Sequence, residues 1–541
     1  FGGALALDFT QSNIKEQITV SNCVFDNCTA LNSGSIRLNM HKTIPILYNI
    51  TFKNMTNNLI ASIAYSDSVI FKTIVIDSCN FIKCTNTARD YGGSGISVTN
   101  ARLEGNVYRT FIDFVGCKFI NNTSQFQGGA FGLGYNKEDK SKTLQFIGCE
   151  FIGNRVDEVT FPDYGDDGGG AIWLRTSNPC TINDCLFKDN RPCSNKQSNG
   201  GAIFVSFTTN LIQLTINNST FVNNSCPNAN SKGHAIFASK FNAPVSISNC
   251  IFKDNGYDCK NRNNIINTES ILFVYNSSFS FSKRGISNSR AINIARPGEF
   301  IFHNNIVTNL TFDGGEGASL CYMLPDVKNA DPIEIINCTF INNSAKNCEE
   351  LYLRVYVDPI LRNCTFSNKF IKNDLVVISY ADPTIISKSD IVFDQMHCID
   401  CSFDGKKLLS IKANNNNEFV MTDLLLHQCN LIRNKDLVFT SLRDPKLTID
   451  GSLFQENIVD NYLFTVNSGK ETSITNSIFK GNQYTAKIGV SIDNVASIII
   501  QKSTEFTISD TIFENEVNKF NNANERHGFI LKVNTDLSLL N

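Results

Sequence analysis

The stretch 117–134 reads CKFINNTSQFQGGAFGLG. Cys117, Phe119, Asn121, Asn122 and Gly128-Gly129-Ala130-Phe131 look like a signature, and pieces of it recur along the chain. Either this is an active-site motif repeated many times, or it is the building unit of the protein. Aligning the chain on the phenylalanine favours the second reading. The anchors are Phe25, Phe52, Phe81, Phe119, Phe151, Phe187, Phe221, Phe252, Phe279, Phe312, Phe340, Phe366, Phe403, Leu431, Phe454, Phe479 and Phe513. Successive gaps run from 23 to 38 residues, a mean of about 30. Two positions before the anchor stands Cys, or a small residue such as Ser219, Ser277, Ser452 or Thr511.

Apolar alternation on either side of a short polar bend reads as strand, bend, strand. A second short strand follows in each unit. In the first half it opens on glycine, as in GGAFGL (128–133), GGGAIWL (168–174) and GGAIFV (200–205). In the second half the glycines fade, as in DLVVIS (374–379) and NYLFTV (461–466). A third short strand, such as TLQF (143–146) or LTIN (214–217), completes many units. Three short strands in about 30 residues, with almost no helical periodicity, predict an all-β solenoid: a single-stranded right-handed parallel β-helix of about 17 coils. Coils about 4.8 Å apart would stack the inward residues into Phe, Cys/Ser and aliphatic columns and extend the rod to roughly 80 Å. A β-propeller is the rival, but its blades need about 40 residues or more.

Composition limits the function. Of 541 residues 42% are apolar and 18% charged, with a net charge of −3. Nothing here is an electrostatic footprint for nucleic acid. No run approaches the 18 or so apolar residues of a membrane span. The chain opens on Phe1-Gly2-Gly3 without an initiator Met and both ends stop in mid-coil, so truncated or processed termini are expected. An uncapped β-helix end exposes a sheet edge, so either the missing termini supply caps or copies join end to end.

Nineteen cysteines suggest metal binding in the cytosol or disulfides outside it. Sequons favour the second, an extracellular or cell-surface glycoprotein. They fall at Asn27, Asn49, Asn54, Asn121, Asn122, Asn217, Asn218, Asn223, Asn276, Asn309, Asn337, Asn342 and Asn363, many of them beside the anchor and next to a turn. Disulfide candidates are Cys23/Cys28, Cys79/Cys84, Cys185/Cys193, Cys250/Cys259 and Cys338/Cys348 around turns, and Cys117/Cys149 between coils. The odd total leaves at least one thiol over. Cysteines stop at Cys429 and sequons at Asn363, so one continuous β-helix over 1–541 divides into Cys- and sequon-bearing coils 1–430 and Cys-free coils 431–541. The sequon-rich half is expected to carry glycans and the C-terminal coils to make protein contacts.

Phe-x-x-Asn, as in Phe119–Asn122, Phe151–Asn154 and Phe187–Asn190, together with Gly-Gly-Ala-Ile at 169–172 and 200–203, resembles the repeats of polymorphic outer-membrane proteins. Those belong to the pectin-lyase-like β-helix class. The resemblance covers most of the chain and implies a passenger-type surface protein, often adhesive. The Cys-x-Phe column is denser here, and these 541 residues include no outer-membrane barrel.

Pectin-lyase-like folds also host polysaccharide lyases and hydrolases. Their chemistry needs clustered carboxylates, or Asp-bound Ca²⁺ with a base. The hydrolase branch carries Asn-Thr-Asp, Asp-Asp and Gly-His-Gly in that order on neighbouring coils. This chain has Asp166-Asp167, then Arg526-His527-Gly528, then Asn534-Thr535-Asp536, in the wrong order and about ten coils apart. The acidic insertion with Asp163, Asp166 and Asp167 is a candidate for Ca²⁺, set against a solvated loop that uses Asp and Gly for turns. Trp173 reads as packing rather than a sugar platform, and Cys398-x-x-Cys401 lacks the four ligands of a zinc site. No catalytic residue and no cofactor is expected.

The expected function is that of a non-enzymatic secreted or cell-surface glycoprotein, a structural subunit of an extracellular filament, coat or adhesive assembly. Its expected partners are N-linked glycans and either copies of itself or other extracellular proteins, with no nucleic acid. The alternatives are a polysaccharide lyase or glycoside hydrolase of the pectin-lyase-like class and a monomeric carbohydrate-binding adhesin.

Overall fold

The computed structural model describes residues 5–8, 17–29, 36–40, 44–56, 63–65, 72–86, 96–98, 110–125, 127–133, 142–157, 168–176, 179–193, 197–207, 213–228, 230–239, 244–257, 259, 263–283, 288–295, 298–313, 317–323, 332–346, 348–368, 371–380, 390–403, 406–413, 423–435, 437, 439–443, 446–460, 462–467, 471–485, 496–501, 505–519 and 529–534. Among the described residues there is no helix, and short strands stack in parallel into a β-helix. The chain divides into two units, Phe1–Ser282 with Ile286–Arg296 and Lys283–Gly285 with Pro297–Asn541. The Cys-free stretch 431–541 belongs to the second unit.

One coil of the first unit shows the construction. An aliphatic strand, Lys142–Ile147, buries Leu144 and Phe146. It ends at Gly148, where φ is 61°. Cys149 then points inward, followed by the phenylalanine strand Glu150–Ile152. A second left-handed corner at Gly153 (φ 64°) turns the chain, and Asn154 points inward. The strand Arg155–Val156 leads on to a third left-handed corner at Gly169 (φ 68°) and the glycine-led strand Ile172–Thr176. The corners recur because an Asn, Asp or Gly can take positive φ at little cost. At the first two corners most of the left-handed residues are Asn, Asp or Gly.

Each class of strand pairs in register with its counterpart one coil away. Phe119 faces Phe151, and Phe151 faces Phe187. Nine phenylalanines from Phe25 to Phe279 therefore stack, with ring centroids 4.7–5.3 Å apart and planes within 9°. Offset-stacked pairs contribute about 0.5–1.5 kcal/mol each beyond their burial.

The second unit repeats the plan with a less regular column. Its register runs Val307, Phe340, Phe366, Cys398, Leu431, Phe454, Phe479, Phe513. Two anchors expected from the sequence are thus corrected: Val307 and Cys398 hold the positions assigned to Phe312 and Phe403. Phe312 lies beyond the second corner, opposite Ala345, and Phe403 bridges to Ile371. The reason is physical. Both corners have the same form, a left-handed residue, then an inward residue, then a strand, so a sequence alignment can lock onto either.

The signature Gly128-Gly129 belongs to the third corner. Gly128 has φ of 58°, and a Cβ on Gly129 would lie 2.1 Å from the Gly170 carbonyl oxygen of the next coil. Gly170 and Gly201 are confined in the same way. Trp173, on the strand that follows, is buried against Phe204 and Phe237, a packing role.

Candidate functional site

The inward residue of the second corner forms an amide ladder. The backbone N–H and Nδ2 of Asn122 both donate to Oδ1 of Asn154, at 3.0 and 2.9 Å. The remaining Nδ2 hydrogen goes to the Phe81 carbonyl at 3.0 Å. Asn154, Asn190, Asn224 and Asn255 continue the series. In the second unit Asn434, Asn457 and Asn482 form another, which ends on Glu516. Asn343 and Asn368 frame an exception: both Nδ2 groups donate to the fully buried carboxylate of Glu350, as does the Ser319 hydroxyl. The buried amides of these ladders thereby satisfy one another and the neighbouring backbone.

The sequon asparagines have a different address. Eleven of the thirteen occupy left-handed corners, the exceptions being Asn122 and Asn217. Asn27, Asn49, Asn121, Asn218, Asn223, Asn276, Asn337 and Asn363 are exposed, whereas Asn54, Asn217, Asn309 and Asn342 are half-buried. Asn122 is fully buried, with its Nδ2 hydrogens committed to the ladder. Of the two overlapping sequons in the signature, only Asn121 presents its amide outward. The corner residues also form outer ladders. Asn49 donates to Asn22, Asn337 to Asn304 and Asn363 to Asn337, at 2.8, 2.9 and 2.9 Å. One geometry thus produces both features: positive φ selects Asn, the next residue turns inward, and the strand then starting favours Thr or Ser.

The first-corner cysteines are held as thiols facing carbonyl oxygens. Cys117 Sγ lies 3.2 Å from the Ile76 oxygen, and Cys149 Sγ 3.4 Å from the Phe114 oxygen. These two stand in adjacent coils flanked by the register pair Lys118 and Glu150. Cys79, Cys185, Cys250 and Cys338 make the same kind of contact. Cys23 and Cys28 stand at opposite ends of Val24–Asp26, and Cys79 and Cys84 at opposite ends of Asn80–Ile82. Extended strand separates each pair by roughly 10 Å or more, against the 7 Å or so that a disulfide spans. Cys193 packs on Val156, Cys259 is half-buried, and the Cys348 thiol faces the Leu351 carbonyl. Burial pushes Cys84 and Cys429 up to about 12 and Cys250 to about 11.

No group of three His, Cys, Asp or Glu among the described residues is arranged for a metal ion. Asp163, Asp166 and Asp167 lie outside the described residues, as do Arg526, His527, Gly528, Thr535 and Asp536.

A charged column on the outer face of the second unit escaped the sequence reading. Arg362, Asp394, His427, Asp450 and Thr475 are register partners on successive aliphatic strands. Arg362 Nε is 2.8 Å from Asp394 Oδ2, and His427 Nδ1 is 2.8 Å from Asp394 Oδ1. Asp450 Oδ1 accepts from Thr475 (2.7 Å) and Asn476 (2.9 Å), while its Oδ2 lies 3.8 Å from His427 Nε2. The bonds from Thr475 and Asn476 hold the Asp450 carboxyl below the usual carboxylate range. Both oxygens of Asp394 and Oδ1 of Asp450 are thus held by close neighbours, while Asp450 Oδ2 makes only the longer approach to His427. Variable spacing between coils hides this alignment in the sequence.

No protein-family model and no curated protein sequence matches the chain.

Proposed function

We propose that the protein is a non-enzymatic secreted or cell-surface glycoprotein with a structural role, a subunit of an extracellular coat, filament or adhesive assembly. The observation that supports this reading is the division of labour at the second corner. The repeated signature residues are consumed by ladders and columns, while eight of the eleven sequon asparagines on the left-handed turns are exposed. A regular row of polar amides and attached sugars suits contact with a matrix better than chemistry on one small molecule. Peptide mapping of protein from its native source, after enzymatic deglycosylation in heavy-oxygen water, tests it. Occupied corner sequons are expected; a protein bearing no N-glycan would sink the glycoprotein reading. Negative-stain imaging of the same material tests assembly, with isolated monomers counting against a structural subunit.

The second reading, a carbohydrate-active enzyme, draws on Asp394, His427 and Asp450 in one outer column. The engagement of both Asp394 oxygens by Arg362 and His427, and of Asp450 Oδ1 by Thr475 and Asn476, weighs against it, since an acid–base pair must be able to reach substrate. Cleavage of an acidic or neutral polysaccharide that is lost in Asp394→Asn would favour this reading.

A further inference from the structure

His234 interrupts the glycine series of the third corner. Gly129, Gly170 and Gly201 each follow a left-handed glycine; after left-handed Gly233 the same place holds His234. Its imidazole is directed into the core and is fully buried. Nδ1 lies 3.1 Å from the backbone nitrogen of Cys226 and accepts its hydrogen. That bond determines the tautomer: Nε2 carries the ring hydrogen. Burial pushes the imidazole down to about 3, so the ring is neutral at physiological pH.

Among the described residues Nε2 has no hydrogen-bond partner, and neither have the fully buried Ser289 hydroxyl and the Asn263 Nδ2 group. The first two of these groups converge, and Asn263 stands beside them. Gly256, the residue after the ladder rung Asn255, leaves room for the ring: a Cβ there would lie 2.6 Å from His234 Nε2 and 2.7 Å from Ser289 Oγ. The two atoms are therefore no more than about 5.3 Å apart, the sum of those distances. Asn263 is the register partner of Ser289, and its Oδ1 accepts from the Gly233 N–H at 3.0 Å, which holds its amide beside the histidine. Each buried polar group left unpaired forfeits its hydrogen bonds to water without a replacement. A water shared by two or three such groups, at about 2.8 Å from each, spans separations of this size.

We infer that the core of the first unit holds one resident water molecule between His234 Nε2, Asn263 Nδ2 and Ser289 Oγ. The water accepts from Nε2–H and Nδ2–H and donates to the serine oxygen, so all three orphan groups are satisfied at once. In this part of the core a solvent molecule does the bridging that Asn255 and the rungs before it do with amides.

The test is a crystal structure of the full chain at a resolution that orders single waters, about 1.8 Å or better. A density peak within hydrogen-bond distance of at least His234 Nε2 and Ser289 Oγ is expected. Nε2 bonded directly to Ser289 Oγ, or no peak between them, would overturn the inference. In solution, water-oxygen magnetic relaxation dispersion counts long-lived internal waters. Ser289→Val should lower that count by one while the far-ultraviolet dichroism stays unchanged, and an unchanged count in the folded variant would contradict the site. If Ser289→Val does not fold, the density in the unmodified protein still decides.

Discussion

Asn122 and Asn154, 32 residues apart in the chain, share one hydrogen-bond acceptor: both the backbone N–H and the Nδ2 of Asn122 donate to Oδ1 of Asn154. This pair shows why the signature repeats. The asparagine is needed for a bond to the next coil, not for chemistry, and each coil needs one.

Removing a rung should therefore cost more than the volume lost. Asn154→Ala orphans the N–H and Nδ2 of Asn122 and the Phe119 carbonyl that Asn154 serves at 2.9 Å. With buried unpaired groups at about 1–3 kcal/mol each and partial relaxation, a loss of about 3 kcal/mol is expected. Urea unfolding followed by fluorescence measures it. A midpoint equal to that of the unsubstituted protein would show that the ladder carries no stability.

The two adjacent sequon asparagines should separate cleanly. Asn121→Gly keeps the left-handed corner (φ 54°) and removes a sequon whose amide faces outward. It should abolish the glycan at this site and leave the melting temperature of the deglycosylated protein nearly unchanged. Asn121→Val should cost about 1–2 kcal/mol, because a Cβ-branched residue resists positive φ. Glycopeptide mapping that places a sugar on Asn122 instead would contradict the buried rung.

The corner thiols should be shielded in the native protein. Cys84, Cys250 and Cys429 titrate well above a free thiol because burial disfavours the thiolate. A maleimide or iodoacetamide at pH 8 should leave them unmodified while the fold persists. Denaturation without reductant should make them react, which distinguishes a buried thiol from a disulfide. The sign of the linkage follows. A pKa raised by folding gives stability that is full below the unfolded value, near 9, and is lost as pH rises towards about 12 for Cys84. Thermal melts should therefore fall through that alkaline window.

Glu516 should give a second pH dependence in the same direction at lower pH. It ends the second-unit ladder, accepting from Asn482 Nδ2 at 2.9 Å and from Tyr484 at 2.6 Å. Burial raises its carboxyl above the ordinary value despite these bonds. The stability it contributes is full below the unfolded pKa, about 4.5, and declines as pH rises through the folded one. Glu516→Gln keeps an acceptor for Asn482 and removes the charge. It should flatten the decline in stability as pH rises above about 4.5 and raise the melting point on the alkaline side of that decline. A profile parallel to that of the unsubstituted protein would rule out Glu516 as the source.

Much of this architecture is written in local pattern. Period, strand alternation and the residues that tolerate positive φ are properties of short segments, so the coil, the phenylalanine column of the first unit and the strand-opening glycines were all legible from residues such as Cys117, Phe119 and Gly128. Other features depend on which residue of one coil lies over which residue of the next, and intervening stretches of unequal length conceal that. Only the register shows that Val307 and Cys398, not Phe312 and Phe403, continue the phenylalanine column. Only the direction of the side chain separates Asn121 from Asn122, since identical neighbours turn outward and inward at a corner. The column from Arg362 to Thr475 and the meeting of His234, Asn263 and Ser289 arise the same way. Their members are dispersed along the chain, and stacking at one coil spacing brings them together.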